Sequence, residues 1–369
     1  MKLLYDQQIF SFQEYGGISR YFYELIKGIK KTKNTVLVDG KFSSNVYLPT
    51  LKQGIVRFLP GLNFPYKHLI LFYLNIFIDS RNIKNGKYDL LHATYYHPYF
   101  LEKLKGKPYV ITVYDMIHEL FTKNTKGFVC KTLKHKKKTI CSADRIIAIS
   151  ENTKNDLVNI YKIPKEKIDV VYLGNPLEDV VLSKVERLPK KYLLFVGNRS
   201  GYKNFNSFVK AIISLFIEND NLSLVCAGGG KFNKNEKKLL FNLGVLDKVK
   251  QVDFKSDGEL AYIYKNAIVY VLPSLYEGFG MTALEAFSMG CPVVASNTSS
   301  ISEVCGNAAL YFDPLNASTI RDSINKVIKN KDTRSTLINL GYKQVKKFSW
   351  DKTVIKTLKV YRDLLKTRL

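Results

Sequence analysis

The stretch of residues 268–295 constrains the fold more than any other part of the chain. An apolar run at 268–273 leads into a glycine-bearing segment with Glu277, then into a helix-forming segment with Glu285, and then into a second apolar run at 292–295. The order strand, turn, helix, strand is that of a βαβ unit, in which the two strands are parallel. Ligands of such sheets bind in the crevice at the carboxyl ends of the strands. The stretch therefore predicts an α/β fold with a ligand site at the turn that contains Glu277.

This turn and the helix after it combine two kinds of ligand-binding group. Gly278 and Gly280 allow backbone N–H groups at a helix N-terminus to approach an anion closely. Glu277 and Glu285 can accept hydrogen bonds from sugar or ribose hydroxyls. A structural explanation also fits, because Thr282 and Glu285 match a helix capping box and Glu277 matches a solvated loop acid. The stretch by itself leaves both explanations open.

Runs typical of strands alternate with runs typical of helices over both halves of the chain. Strands are predicted at residues 1–6, 35–38, 88–92, 109–113, 145–150 and 168–173, and then at 192–196, 222–227, 249–254, 268–273 and 292–295. This alternation indicates one parallel sheet in each half. A length of 369 residues suits two domains. The periodicity fades at residues 177–191, which are the predicted linker.

Two positions in the first half carry candidate site residues. Gly16 and Gly17 open a helix after the first strand, where phosphate groups often bind. Asp115 and His118 follow the strand at 109–113, at the end of the sheet where ligands are held. A tight turn explains the glycines equally well, and a histidine at such a place is often structural. We therefore treat all four residues as candidates.

The first half also contains two segments with no assigned chemistry. Residues 7–15 are predicted to form a loop after the first strand. The apolar run at 69–78 is about half the length that spans a bilayer. It is predicted to be a buried helix, with an interfacial segment as the alternative.

The turn after the strand at 192–196 reads GNRSGYKN and contains Asn198, Arg199 and Lys203. It matches neither GxGxxG nor a Walker loop, which disfavours a dinucleotide-dependent oxidoreductase. Two cations at the carboxyl end of a strand are nevertheless suited to neutralise a diphosphate. A solvated lysine is the structural alternative.

The charge of the chain is strongly positive. With 57 Lys and Arg against 32 Asp and Glu, the formal net charge is +25, which suits nucleic acid, an anionic membrane surface or phosphorylated substrates. The basic residues are spread along the chain without a nucleic-acid module. A predicted helix at 129–142 places several lysines on roughly one side, which is typical of a solvated face or of a surface that meets anionic lipid. These lysines are Lys131, Lys134, Lys137 and Lys138.

Three further features bound the compartment and the cofactors. The five cysteines form no close CxxC pair, which favours reduced thiols in a cytosolic protein. The first residues, MKLLYD, show no signal-peptide pattern, so a cytoplasmic location is expected. No Asp-x-Asp motif occurs, so no essential metal and no other cofactor are expected.

Taken together, these segments resemble the retaining glycosyltransferases of family 4, nucleotide-sugar-dependent enzymes of the GT-B fold. The resemblance runs nearly from end to end, through the Gly16–Gly17 turn, Asp115, ISENT at 149–153, VGNRSGYKN, EGFGMTALE and FSWDKT. Its most specific feature is the pair Glu277 and Glu285, separated by seven residues. Two positions depart from the family pattern: Asn198 takes the place of an Arg, and Tyr114 takes the place of a His.

The resemblance implies two Rossmann-like domains that face each other across a cleft. The acceptor-side domain would be 1–175 with the C-terminal helix 351–369, which crosses back to it, and the donor domain would be 176–350. It also implies roles for individual residues. The donor-binding residues would be Gly16, Gly17, Asn198, Arg199, Lys203, Phe254, Gly278, Phe279, Gly280, Met281 and Glu285, and the catalytic residues would be Asp115, His118 and Glu277.

The function implied is transfer of a hexose, with retention, from a nucleoside-diphosphate sugar such as GDP-mannose to a glycan or lipid-linked saccharide. The setting would be synthesis of a cell-surface polysaccharide or lipopolysaccharide by a peripheral protein on the inner face of the membrane. Aromatic residues at 95–100 would stack on an acceptor sugar or fill the core. The alternatives are a UDP-sugar-dependent transferase, a nucleotide-sugar epimerase and, more remotely, a nucleic-acid-binding protein.

Overall fold

The computed structural model describes residues 1–59, 62, 64–122 and 128–368, and of residues 128 and 129 the backbone alone. The chain divides into two compact units. The first comprises Met1–Gly174 and Trp350–Leu369, and the second comprises Asn175–Ser349. Leu369, the end of the predicted C-terminal helix, lies outside the described residues.

The first unit is built on a six-stranded parallel sheet. Its strands are β1 (Lys2–Tyr5), β2 (Thr35–Val38), β3 (Phe42–Ser43), β4 (Val56–Arg57), β5 (Leu90–Ala93), β6 (Tyr109–Val113), β7 (Arg145–Ala148) and β8 (Ile168–Val170). The main sheet has the order β2-β1-β5-β6-β7-β8, and β3 pairs with β4 in a separate two-stranded sheet. Strands β5 and β6 are buried along their whole length, as expected for a parallel sheet covered by helices.

Eight helices belong to the described part of this unit, apart from short 3-10 turns. They are α1 (Gln8–Phe12), α2 (Gly17–Lys30), α3 (Leu48–Leu51), α4 (Lys67–Asn85), α5 (Ile117–Phe121), α6 (Phe128–Ser142), α7 (Glu151–Tyr161) and, at the end of the chain, a helix over Trp350–Lys366. Helix α7 begins after Ser150, whose hydroxyl oxygen accepts a hydrogen bond from the Thr153 N–H at 3.0 Å.

The second unit has the same architecture. Its strands are β9 (Lys191–Val196), β10 (Leu222–Ala227), β11 (Val249–Val252), β12 (Val269–Leu272), β13 (Val293–Ser296) and β14 (Ala309–Phe312). Its helices are α8 (Phe205–Ala211), α9 (Ile213–Glu218), α10 (Lys234–Asn242), α11 (Asp257–Asn266), α12 (Met281–Ser288), α13 (Ser299–Cys305), α14 (Ala317–Lys329) and α15 (Lys331–Val345), so the helix over Trp350–Lys366 is α16. The sheet is parallel, in the order β11-β10-β9-β12-β13-β14.

In both sheets the strand order reverses next to the first strand of the unit. In the second unit β10 and β11 lie on one side of β9, and β12 to β14 lie on the other. In the first unit the strand order reverses in the same way between β1 and β5. The carboxyl ends of strands at such a switch point form a crevice. The turns after β1, β9 and β12 are therefore the expected ligand positions.

The C-terminal helix packs within the first unit, as predicted. Helix α16 lies so close to α2 that a Cβ atom added to Gly28 would be 2.5 Å from the Val354 Cγ2 atom. The buried Tyr361 hydroxyl hydrogen-bonds to the Tyr5 hydroxyl at 3.0 Å and also contacts the His92 ring. The chain thus leaves the first unit at residue 174 and re-enters it at residue 350.

Two predictions of local structure are wrong, and three short strands were not predicted. Residues 8–12 form helix α1 rather than part of a loop, because tertiary contacts bury Ile9 and Phe10 in a segment too short to show a helical period. Strand β14 was not predicted. The two-residue strands β3 and β4 were not predicted either. Residues 177–190 are irregular but belong to the second unit, where the Ser183 N–H donates to the Gly258 carbonyl at 3.1 Å, so they are not a linker.

The apolar run at 69–78 lies within α4, and only one side of that helix is buried. Leu71, Phe72 and Ile83 face the core, whereas Tyr73 and Phe77 are 62% and 66% exposed. The prediction of a buried helix is therefore correct for one face and wrong for the other. In the described residues, no helix is long and apolar enough to cross a bilayer.

Candidate active site

Glu277 lies in the turn after β12 and is held by several hydrogen bonds. Its carboxylate accepts from the Lys203 ammonium at 2.7 Å and from the Ser274 hydroxyl at 2.6 Å. Its backbone N–H donates to the Ser299 hydroxyl and its carbonyl accepts from the Ser300 hydroxyl, both at 2.8 Å. Because both the carboxylate and the backbone are fixed, Glu277 is not a freely solvated loop acid. Glu277 and Lys203 were both predicted site residues, and the structure brings them together.

The turn continues through Gly278 and Phe279 to Gly280, which precedes the first residue of α12, Met281. Gly280 has φ 98°, a left-handed backbone conformation that favours glycine. A Cβ atom added there would meet no heavy atom within 4 Å among the described residues, so a ligand has room to approach. The Phe279 ring packs against Phe348 at a centroid distance of 5.8 Å. The Phe279 side chain is therefore packed inside the second unit, and the predicted contact of this residue with a ligand would be made by its backbone.

Glu285 projects from α12 beside two buried tyrosines. Its carboxylate accepts a hydrogen bond from the Tyr264 hydroxyl at 2.9 Å, and Tyr270 donates to the Thr282 hydroxyl oxygen at 2.7 Å. Burial raises the pKa of Tyr264, and the neighbouring Glu285 raises it further, so this hydroxyl stays protonated as a donor. The capping-box explanation fails, because α12 begins at Met281 and Gly280 is its N-cap.

Arg199 does not extend into the crevice. Its guanidinium pairs with Glu236 at 3.1 Å and donates to the carbonyl oxygens of Gly228, Gly229 and Gly230 at 2.8–3.2 Å. Its side chain is only 2% exposed. Because these donors are already engaged, the prediction that Arg199 contacts a diphosphate does not fit the structure. Asn198, the residue before it, is exposed.

The loop that Arg199 binds lies beside the turn after β9. A Cβ atom added to Gly229 would be 2.4 Å from the Gly197 carbonyl oxygen, so the two loops touch. A Cβ atom on Gly228 would be 3.3 Å from the Phe254 ring. Phe254 thus borders the glycine loop, which is compatible with its predicted place beside a nucleobase.

Asp115 and His118 line a separate pocket of about 170 Å³ in the first unit. The Asp115 carboxylate accepts from the Ile117 N–H at 3.1 Å, and His118 is exposed. Ile18, near the start of α2, lines the same pocket. The pocket is lined by Ile18, Tyr95, Tyr96, Tyr114, Asp115, His118, Thr132, Leu133 and Lys136.

The Gly16–Gly17 turn also belongs to the first unit. Gly16 precedes α2, and Gly17 is its first residue. The Ser19 N–H of the first turn donates to the Gln13 side-chain oxygen at 3.0 Å. A Cβ atom added to Gly16 would be 2.6 Å from that oxygen. This close approach is a sufficient reason for a glycine at position 16, whether or not a ligand binds there. The Gly17 and Ile18 N–H groups are therefore the better candidates for an anion at this helix N-terminus.

Lys136 is a site residue that the sequence reasoning missed. Its ammonium donates to the Glu119 carboxylate at 2.9 Å and to the Asp115 carbonyl at 2.8 Å, and lies 5.3 Å from the centre of the Tyr96 ring. Its side chain is 4% exposed. The available signal was its helical spacing with Thr132 and Ile140, which places a lysine on the inward side of α6.

Tyr114, which stands where the family pattern has a histidine, is buried in the wall of the same pocket. Its hydroxyl has no hydrogen-bond partner within the part of the chain that the structure describes. In those residues, no three His, Cys, Asp or Glu side chains are grouped as a metal site requires.

Comparison with known proteins identifies the family of both units. Residues 15–179 match the family described as Glycosyltransferase Family 4, and residues 182–344 match the family described as Glycosyl transferases group 1. An uncharacterized glycosyltransferase of Methanocaldococcus jannaschii is 29% identical over 301 residues, covering 75% of each chain. O-antigen chain mannosyltransferase B of Escherichia coli is 26% identical, covering 73% of this chain and 72% of its own.

A solved structure shares the architecture. A glycosyltransferase from Rickettsia africae superposes with a TM-score of 0.72 at 19% identity, covering 99% of this chain and 98% of its own. At that identity the likeness concerns the fold. With the two family matches and the two parallel-sheet units, it shows that the chain is a glycosyltransferase of the family 4 type with the GT-B fold.

Proposed function

We propose that the protein transfers a hexose from a nucleoside-diphosphate sugar, with GDP-mannose as the preferred donor, to a glycan or lipid-linked saccharide. The product would be a cell-surface polysaccharide or lipopolysaccharide. The observation that carries the proposal is the Lys203–Glu277 pair beside the open Gly280 turn, at the switch point of the second sheet. The similarity to an O-antigen chain mannosyltransferase supports mannose as the sugar.

In this proposal the second unit holds the donor. The Lys203 ammonium and the N–H groups at the start of α12 neutralise the diphosphate as negative charge develops on it. Glu277 keeps one carboxylate oxygen on Lys203 and accepts from a sugar hydroxyl. Glu285 accepts from the ribose and Phe254 borders the base. Arg199 acts indirectly, because it holds the glycine loop beside the turn after β9.

The chemical step would be displacement of the nucleoside diphosphate from the anomeric carbon. For a retaining reaction, the acceptor hydroxyl attacks from the face that the diphosphate leaves. A new C–O bond forms, the bond to the diphosphate breaks, and a leaving phosphate oxygen takes the acceptor proton. The Lys203 ammonium and the N–H groups at the start of α12 supply the charge stabilisation, so we expect no essential metal. Asp115 and His118 would orient the acceptor at the pocket of the first unit.

The first test is thermal stabilisation by GDP, UDP, ADP and CMP, each with and without magnesium. A ligand that binds only the folded state raises the melting temperature with the logarithm of its concentration over Kd. We expect a response to GDP that does not require magnesium. A response to UDP alone would instead support a UDP-sugar donor, and the absence of any response would contradict the donor site.

A transfer assay with radiolabelled GDP-mannose and a saccharide acceptor completes the test. The matched variants are Lys203→Ala and Lys329→Ala, since each lysine pairs with a glutamate at 2.7–3.0 Å but Lys329 lies on the surface. Loss of one preorganised donor lowers kcat on the order of a hundredfold, and the surface change has little effect. Conversion of the donor sugar without transfer would identify an epimerase, and salt-sensitive binding to nucleic acid without either reaction would support the remote alternative.

A cytoplasmic protein on the inner face of the membrane would meet lipid-linked acceptors, and the positive charge of the chain supports that location.

A further inference from the structure

The exposed side of α4 is a continuous apolar surface. Ile70, Tyr73, Leu74 and Phe77 follow each other at helical spacing, and 43–66% of each side chain is exposed. They cover about 10 Å along the helix. We name these four residues the α4 stripe. Single exposed apolar residues are common, but a contiguous row of four large ones marks an interaction surface.

The charges on α4 are arranged around the stripe. Asp79 is the only carboxylate in the sequence of this helix, and it is buried, where it accepts from the Tyr99 hydroxyl at 3.0 Å. The Arg81 guanidinium lies 5.1 Å from the centre of the Phe77 ring. The exposed side of the helix therefore combines apolar groups with positive charge and carries no negative charge.

Helix α6 flanks the stripe and adds to the positive charge. Its sequence contains five lysines and no carboxylate. Tyr73 of the stripe and Lys131 of α6 line one pocket of about 340 Å³, so the two helices meet there. Burial, together with Lys131 and Lys138, lowers the pKa of His135 in the same pocket, as expected of a positive local field. Lys131, Lys134 and Lys138 are exposed, and their spacing of three, four and seven residues places them on one side of α6.

We infer that the α4 stripe and these α6 lysines form a docking surface for a bilayer that contains anionic lipids. Apolar side chains that enter the boundary between headgroups and acyl chains, next to lysines that meet anionic headgroups, are the two components of interfacial binding. A protein partner would have to complement the same combination with an acidic rim, whereas a bilayer supplies both chemistries over any area.

The docking surface lies next to the acceptor-side pocket. Tyr95, Tyr96 and Thr132 line both the pocket between α4 and α6 and the pocket of Asp115 and His118. A bilayer on the stripe would therefore present headgroups close to Asp115. This step rests on the proposed function, and it selects lipid-linked saccharides over soluble ones as acceptors.

Flotation with vesicles tests the docking surface. We expect the full chain to float with vesicles of equal parts phosphatidylcholine and phosphatidylglycerol at low salt. The partition coefficient of a Leu74→Ser/Phe77→Ser variant should be at least about tenfold lower, because this variant lacks two apolar side chains that would be buried in the bilayer. The control is Phe241→Ser, which makes the same change at a helical phenylalanine that is 72% exposed in the second unit.

A second pair of variants tests the charges. Replacing Lys131, Lys134 and Lys138 by Gln should abolish binding to the anionic vesicles, as high salt should. The control replaces Lys234, Lys237 and Lys238, three exposed lysines of α10, and should bind like the unmodified protein. Unchanged melting temperatures show that all variants are folded, since every altered side chain is exposed.

Three outcomes would overturn the inference. They are absence of vesicle binding by the unmodified protein, equal loss in the control variants, and a change of oligomeric state in the stripe variant without a change in vesicle binding. The readout involves no nucleotide and no sugar. Binding to vesicles without transfer would therefore refute the proposed function alone, whereas transfer to a soluble saccharide without vesicle binding would refute the docking surface alone.

Discussion

Arg199 and Lys203 lie four residues apart in one turn, yet their side chains have opposite surroundings. The Arg199 guanidinium donates to several carbonyl oxygens of one loop and to Glu236. A planar guanidinium has enough N–H groups, in suitable directions, for all these contacts, whereas an ammonium does not. Lys203 reaches one carboxylate oxygen of Glu277 and remains partly exposed. Of the two cations, the lysine is therefore the more accessible.

Replacing Glu277 by Gln should lower kcat on the order of tenfold or more while changing the Kd for the nucleoside diphosphate by less than about twofold. The reason is that the carboxylate contacts the sugar in the proposed complex, and the nucleotide lacks that sugar. Steady-state kinetics and nucleotide titration measure the two quantities. Glu218→Gln, at a surface pair with Lys329, is the control. Equal losses in kcat and in nucleotide affinity would refute the sugar contact.

Replacing Lys136 by Met should destabilise the first unit by about 3–5 kcal/mol, because it leaves the Glu119 carboxylate buried without its cation. Adding Glu119→Gln should recover part of that loss. Trp350, the only tryptophan, lies in the first unit, so its fluorescence reports denaturant unfolding there. Lys134→Met, on the exposed side of the same helix, is the control, and a similar cost in both variants would contradict the buried ion pair.

At the scale of secondary-structure elements, the contact between α2 and α16 depends on one missing side chain. Gly28→Ala would bring a methyl group to 2.5 Å from Val354, and overpacking of this kind costs about 1–3 kcal/mol. In a Val354→Ala background Gly28→Ala should instead increase the free energy of unfolding, because alanine stabilises a helix by up to about 1 kcal/mol relative to glycine. Denaturant unfolding of the four proteins of this double-mutant cycle measures the effect. Additive free energies would show that α2 and α16 are not in tight contact.

Long buried helices and strands were predictable from the sequence. Very short elements, and the exposed face of a helix that is apolar on both faces, were not. The β12–α12–β13 unit was visible because apolar runs and glycines alternate over 28 residues, from 268 to 295. Helix α1 and strand β14 were missed because five or four residues show no period. Helix α4 is apolar on both sides, so its composition did not indicate which side is exposed.

Side-chain partners were less predictable than elements. The position of Arg199 suggested a phosphate ligand, but long-range contacts with residues 228–236 decide where its guanidinium lies. Lys136 was overlooked among the lysines of α6 for the same reason, because its partner Glu119 belongs to another helix. Pairing between distant parts of the chain is what a single sequence leaves out.

At the scale of the whole molecule, the first unit should lose stability as the pH rises. Asp6, Asp39 and Asp79 are all buried, and burial raises the pKa of each, that of Asp39 to about 7. A raised folded-state pKa gives stability that is complete below the unfolded value near 4 and is lost as the pH rises through the folded value. The free energy of unfolding should therefore fall between pH 4 and 8.

An Asp39→Asn variant isolates one of these carboxyls. The difference in the free energy of unfolding, variant minus unmodified protein, should increase by on the order of 3 kcal/mol from pH 4 to pH 8. The reason is that the unmodified protein loses stability when Asp39 is deprotonated, whereas the variant has no proton to lose at that position. Denaturant titrations monitored by Trp350 fluorescence at several pH values measure the difference. Asp363→Asn, at an exposed position of the first unit, is the control. A difference that stays constant with pH would contradict the raised pKa of Asp39.

The passage of the chain out of the first unit at residue 174 and back at residue 350 sets the order in which a ribosome can deliver finished domains. Every residue of the second unit is synthesised before α16, whose Tyr361 completes the buried contacts with Tyr5 and His92. The N-terminal unit, although begun first, is thus the last to be completed. A chain stopped near residue 349 would contain the whole second unit and a first unit that lacks α16. A truncation late in the coding sequence would consequently impair folding of the first unit more than folding of the second.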